Sequence, residues 1–402
     1  MRRAPLPVAL AVAAVAAFAL AGALAGPGVA RAQRADEPQG LKRITADRVI
    51  AEPSMIHGMV LLRVFVSAID LETGGSVLDV AGGKSWTLDG AGLKGVPYAA
   101  GTYDAADSDT AIVFVIQTTD TTLDELPKDK QATAQLDVAA DLESIKKSLR
   151  EAVLPALPPR TQVAILGYGE DVTAGKLTSP KSAEGQLDEL TLQPATAAPA
   201  MMKAVERAVK LLKKAKPTVE GAPPQALRRM IVIVGDGRDA DDDRERVTRV
   251  GVQADRQGIR IHSIAYSPAL RRRPMLALGE LSRRSQGTFR WIPQKIGDQS
   301  FQHQFEKVLA EIRRQYVLTM LVPADTVPRK LSVSTTIADR PLRSRDLKVA
   351  GVACGADECS TGAYCVAARC VRRATPGGRG VVGWILLIGG IALGGVVVVV
   401  GG

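Results

Sequence analysis

The chain has 402 residues, enough for two or three domains of ordinary size. Apolar residues make up 46% and charged residues 23%, which excludes a disordered polymer and a polytopic membrane protein. The formal charge of +10 invites a nucleic-acid reading, yet only 4% of residues are aromatic, too few for base-stacking platforms.

The N-terminus reads as an export signal. Arg2 and Arg3 form a positive start, residues 8–25 are rich in Ala, Val and Leu, and Ala30-Arg31-Ala32 is a small-residue cleavage pattern. Residues 1–32 are therefore expected to be removed. Their loss takes away three Arg and no acidic residue, leaving a charge of +7. The remaining basic residues are scattered, so they predict a solvated surface and no nucleic-acid partner.

Residues 40–105 read as β-structure. The run 60–68 (VLLRVFVSA) is β-branched and aromatic, and Gly74-Gly75 and Gly82-Gly83 are turn signals. From residue 109 the rhythm becomes strand, helix, strand. The runs 111–116 (AIVFVI), 162–168 (QVAILGY), 230–234 (MIVIV) and 259–265 (IRIHSIA) are nearly uninterrupted apolar stretches, as strands buried on both faces should be. Helical patterns at 132–154, 183–190, 198–214, 244–257, 275–285 and 301–314 alternate with them. This predicts a doubly wound α/β domain with a mostly parallel, Rossmann-like sheet. After Tyr316 the β pattern returns through residues 319–351. The two β regions are expected to form one sandwich with the α/β domain inserted.

All four cysteines lie close together, Cys354, Cys359, Cys365 and Cys370. In an exported chain, an even count at such spacing predicts two disulfides in a stalk over 352–373, with three connectivities open. Residues 381–400 carry no charge and would span roughly 30 Å as a helix, so a C-terminal transmembrane helix is expected. The body would then face the periplasm or the cell exterior, tethered to a membrane.

Open α/β sheets bind ligands beyond the carboxyl ends of their strands. Three segments should meet there: Gln117 to Thr121, the loop Pro194-Ala195-Thr196, and Gly235 to Asp239. Hydroxyls and carboxylates together suit a divalent cation such as Mg²⁺. Over residues 108–318 the order of elements resembles a von Willebrand factor type A domain. That family carries a metal-ion-dependent adhesion site with the motif D-x-S-x-S, a mid-domain Thr and an Asp after a later strand. The matching residues here are Gln117-x-Thr119-x-Thr121, Thr196 and Asp236, with Asp120 and Asp239 as neighbours on the ligand face. Tyr316-Val317-Leu318 resembles the family's exit strand. Gln117 replaces the leading Asp and removes one negative charge, so the site is degenerate. No cofactor is expected, with weak binding of Mg²⁺ or another divalent cation as the alternative.

Asp239, Asp241 and Asp243 lack the Gly and Glu of a calcium loop and are expected to cap the helix at Arg244. The three histidines, His57, His262 and His303, join no zinc, nucleophile-elbow or phosphate-loop motif. No enzyme is expected. The resemblance implies a non-enzymatic protein-binding or adhesion module of the bacterial cell envelope with an unnamed protein partner. The alternatives are a purely structural envelope protein with no ligand at the degenerate site, and a Mg²⁺-dependent adhesion domain.

Overall fold

A computed structural model describes residues 42–54, 56, 59–70, 86–104, 109–119, 128–193, 198–218, 224–241, 243–266, 272–292, 298–337, 340–349, 363–366 and 369–372. The expected signal (1–32), Cys354, Cys359 and the stretch 381–400 lie outside these residues.

The described chain opens with four strands, β1 (Lys42–Pro53), β2 (Met59–Asp70), β3 (Thr87–Gly90) and β4 (Tyr98–Asp104). It continues through β5 (Thr110–Gln117), α1 (Lys128–Ser148), β6 (Thr161–Tyr168), α2 (Pro180–Asp188), α3 (Met201–Lys214), β7 (Arg228–Gly235), α4 (Arg244–Arg256), β8 (Ile259–Tyr266), α5 (Arg272–Arg284), β9 (Phe289–Ile292) and α6 (Asp298–Arg313). The remaining strands are β10 (Arg314–Pro323), β11 (Lys330–Ile337), β12 (Arg340–Arg343), β13 (Leu347–Lys348), β14 (Ala363–Val366) and β15 (Arg369–Arg372).

Strands β5 to β9 form a parallel sheet in the order β6-β5-β7-β8-β9. Successive residues of a strand point to opposite faces, which is why these apolar runs fill two cores at once. Val113, Val115, Ile231 and Ile233 pack with α3, α4 and α5 on one face. Ile112, Phe114, Val232 and Val234 pack with α1 and α6 on the other.

Helix α1 runs on through a π-turn at Leu149–Val153 and ends at the 3₁₀ turn Leu154–Ala156, where the prolines stop it. The acidic loop before α4 does cap it: the Asp243 side chain accepts the Arg246 backbone N–H at 3.0 Å. Asp243→Ala should cost about 1 kcal/mol in urea unfolding, the usual worth of an N-cap. A loss below a few tenths would count against that role.

The flanking β regions join directly. Strand β3 pairs with β11, and β10 lies between β2 and β4. Ile44, Val64, Trp86, Leu318, Leu331 and Val333 share one core between the two antiparallel sheets. Tyr316-Val317-Leu318 therefore sits in this antiparallel sheet and not in the parallel one. Cys365 and Cys370 face each other in register across the β14–β15 hairpin.

One expectation is corrected. Among the described residues no helix is long and apolar enough to cross a membrane. The longest, α1, has 21 residues but carries Asp137, Asp141, Glu143, Lys146 and Lys147 within it. Over the described residues the fold is mixed α/β with a parallel sheet.

The base of the parallel sheet meets the antiparallel layer through a buried polar cluster. Strand β1 bulges between Ala46 and Arg48, leaving Asp47 without a partner in the ladder. A bulge re-aims the side chain it carries. The Asp47 side chain, 3% exposed, is aimed at Arg260 of β8 and at Arg228 of β7, the latter at 3.5 Å. Ser67 Oγ donates to it at 2.8 Å, and Gln315 Nε2 also donates. Arg228 donates in turn to the carbonyls of Ile312, at 2.5 Å, and Glu311, at 3.0 Å. Arg43 donates to the Gly287 carbonyl at 2.6 Å. Burial, with Arg260 beside it, pushes the Arg43 guanidinium down to about 10.

Candidate functional site

The strand order turns at β5, with β6 on one side of it and β7 on the other. The crevice beyond their carboxyl ends is where such a sheet offers a ligand its place. Gln117 closes β5 and Gly235 closes β7.

Gln117 braces three strand ends. Its Oε1 accepts the Asp236 backbone N–H at 2.8 Å and the Tyr168 hydroxyl at 3.3 Å. Its Nε2 donates to the Thr119 carbonyl at 2.7 Å. Tyr168 is fully buried, and burial, followed by the charges of Asp236 and Asp239, holds its phenol well above the usual range. Gly235 is required because a Cβ there would collide with Tyr168 Oη and Gln117 Oε1. Gly237 has φ +83° and lies against the Pro274 carbonyl, so the turn after β7 also needs glycine.

The carboxylates of this loop do different work. Asp236, 4% exposed, accepts the Arg238 backbone N–H at 2.9 Å, and its Oδ2 lies 4.0 Å from Arg238 Nε. Asp239 Oδ1 accepts the Met202 backbone N–H at 2.8 Å. It caps α3, whose own N-cap residue, Ala200, makes no side-chain bond. Burial pushes the Asp239 carboxyl upward against that bond. Thr119 is 3% exposed, and its Oγ1 has no hydrogen-bond partner. Asp120, Thr121 and Thr196 lie outside the described residues.

The cation that the resemblance implies does not fit the described part of this site. Mg²⁺ dehydrates reluctantly and wants carboxylate charge. Position 117 is neutral, and both ends of its amide already serve the backbone. The one described carboxylate of the motif, Asp236, has a guanidinium beside it. Among the described residues no group of three His, Cys, Asp or Glu stands where it could hold a metal ion. Gln117→Asp would remove the bond to Thr119 and set a second carboxylate beside Asp236. It should lower the melting temperature in chelator by an amount corresponding to roughly 1–3 kcal/mol. Recovery of that loss in millimolar Mg²⁺ would show that the motif's geometry survives. No recovery is the outcome expected from the donor set.

A crevice of roughly 420 Å³, including its open mouth, adjoins Gln117, Thr119 and Asp236. Val138, Leu142 and Ile145 of α1, with Leu192 and Val234, line it with apolar surface. Asp141 and Tyr266 complete the rim, the Tyr266 hydroxyl donating to Asp141 Oδ2. None of these wall residues belongs to the motif. Asp141 did carry a signal, being a carboxylate on the same helical face as Val138 and Ile145.

No family model matches the chain, and no curated protein matches it. Solved structures of similar shape include proximal thread matrix protein 1 from the mussel byssus, with a zinc-occupied MIDAS motif, at 13% identity and a TM-score of 0.35. That match covers 54% of this chain and 49% of the other, so the chain spans about half of that structure's length. The SpRpn10 VWA domain is matched at 14% identity and a TM-score of 0.32, covering 49% of this chain and 94% of that one. The PilB minor pilin of Streptococcus sanguinis is matched at 10% identity and a TM-score of 0.35, covering 67% and 78%. The strand order β6-β5-β7-β8-β9 is the doubly wound arrangement expected from the sequence, and matches at these TM-scores add nothing to it. Similarity at this level says nothing of function, which has to come from the site's own residues.

Proposed function

We propose that the chain is a non-enzymatic binding module of an exported protein, and that a protein partner docks over the carboxyl-end face of the parallel sheet without a bridging metal. The observation that carries this reading is the crevice at the turn in strand order, open beside Gln117, whose amide is taken up by the Asp236 N–H and the Thr119 carbonyl. Export is supported by the leader pattern at Arg2-Arg3 and Ala30-Arg31-Ala32.

Among the described residues His262, Thr288 and Glu311 form a buried cluster with triad-type groups. His262 Nδ1 lies 2.8 Å from Thr288 Oγ1 and 3.1 Å from Glu311 Oε2. Both neighbours meet the same ring nitrogen, whereas a relay needs the base on one nitrogen and its orienting carboxylate on the other. His262 is 2% exposed.

The test is capture of envelope proteins on the immobilised full chain, with and without chelator, beside a Leu192→Arg variant that blocks the crevice. Capture that ignores chelator and disappears in the variant is expected. Capture that needs a divalent cation, or that survives the variant, overturns the reading.

A further inference from the structure

We infer that the crevice takes a primary ammonium group carried on a short, unbranched apolar chain, with Thr119 as its buried hydroxyl acceptor. The inference rests on the docking face proposed above and names what enters it.

Three features of the site converge on that ligand. The walls from α1 and β7 are apolar, so the body of the ligand is hydrocarbon. The polar groups at the rim include two carboxylates, Asp141 and Asp236, and among the described residues that line the crevice there is no Lys or Arg, Arg238 standing behind Asp236. An anionic ligand would meet repulsion there, and a bare metal ion would meet hydrocarbon where it needs oxygen. The third feature is Thr119 Oγ1, a buried hydroxyl bordering the crevice without a hydrogen-bond partner. Buried hydroxyls in folded proteins are almost always bonded, and one left open at a crevice points to a ligand.

An ammonium carries three donors and no acceptor. Thr119 Oγ1 is the open acceptor, and the carboxylates of Asp141 and Asp236, which also serve Tyr266 and Arg238, border the same opening. The side chain of a partner's lysine and a free alkylamine share this chemistry, four carbons ending in an ammonium.

The experiment is a titration of the full chain with n-butylammonium chloride, followed by amide chemical shifts at constant ionic strength, with n-butanol as the neutral control. Saturable binding is expected, with n-butanol weaker by about tenfold or more, since charge-assisted bonds are roughly twice as strong as neutral ones. Thr119→Val keeps the shape and should weaken the ammonium by about tenfold. Leu192→Trp fills the crevice from its rim and should abolish binding even where the valine variant folds poorly. Equal binding of alcohol and amine, an unchanged Thr119→Val, or no saturation overturns the assignment. A blocked lysine derivative, N-acetyl-lysine methylamide, separates the sources. Binding at least as tight as the free amine assigns the crevice to a partner lysine, and binding of the free amine alone assigns it to a small molecule. Partner capture that persists while butylammonium fails to bind sinks the ammonium assignment and leaves the docking face standing.

Discussion

Replacing Asp47 with alanine should destabilise the chain by about 3–5 kcal/mol, the cost of removing one partner from a buried ion pair. The reason lies in the charge count at the base of the parallel sheet. Four guanidiniums, Arg43, Arg228, Arg260 and Arg290, share that region with two carboxylates, Asp47 and Glu311. Burial already pulls the Arg228 guanidinium below its ordinary value, Asp47 being the largest influence that opposes it. Without Asp47, Arg228 and Arg260 would remain buried with no carboxylate on that side. The Ser67 hydroxyl and the Gln315 amide would lose their acceptor as well. Urea unfolding read by fluorescence measures the loss. Asp47→Asn keeps an acceptor for Ser67 and should fall between wild type and the alanine variant. In the double variant Asp47→Ala/Arg260→Met, an orphaned charge is removed along with its partner. It should recover at least 1 kcal/mol relative to strict additivity. A loss under about 1 kcal/mol for Asp47→Ala would mean that water reaches this cluster.

Because Asp47 belongs to β1 while Arg228 and Arg260 belong to β7 and β8, the same substitution tests how the two layers are joined. The apolar contact beside it is small, with Ile50, Phe65 and Val317 packed against Ala226. The charged cluster adds to that contact, as does the ion pair of Arg345 with Asp255 at 2.8 Å. Splitting of the unfolding curve into two transitions in the Asp47→Ala chain is the expected signature.

The sequence makes some of this legible and hides the rest for identifiable reasons. The apolar runs at Ala111 and Met230 announce strands covered on both faces, and the structure packs Ile112 and Val113 against opposite layers. Asp47 is hidden because strand alternation assumes an unbroken register. In ITADRVIAEP the aspartate reads as one more outward polar residue. The bulge between Ala46 and Arg48 turns it inward, and no local composition marks that bulge. Strand β10 is hidden by continuity. It follows α6 directly, as an exit strand of the α/β domain would, yet it pairs with β2 and β4. At the site, the change at Gln117 is visible from spacing, but its consequence depends on partners from other strands, Tyr168 and the Asp236 N–H. Asp239 looks like a ligand in the loop and is a cap for α3 only in three dimensions.

The second large effect concerns pH. His262 lies fully inside the protein, and burial lowers its pKa below the ordinary value although Glu311 pulls in the other direction. The ring is therefore neutral in the folded chain at pH 7. In the unfolded chain it takes a proton near pH 6.5. Below that value the unfolded state holds a proton that the folded state does not, so stability falls as pH falls, by up to about 1.4 kcal/mol per pH unit. The loss begins near the unfolded value and continues down to the lowered folded one. The groups facing the ring are Glu311 from α6, Thr288 before β9, and the guanidiniums of Arg228 and Arg260. The two guanidiniums oppose a further positive charge. Glu311→Gln removes the carboxylate that favours protonation of the ring and that lies 3.7 Å from Arg290. At pH 7 that variant should lose about 3–5 kcal/mol, and its further loss on acidification should be steeper than in wild type. His262→Asn provides the complementary measurement, because it has nothing to titrate. Its stability should change less between pH 7 and pH 5 than that of the wild-type chain. If the two profiles run parallel over that range, another buried group sets the acid limit, and His262 stays neutral without consequence for folding.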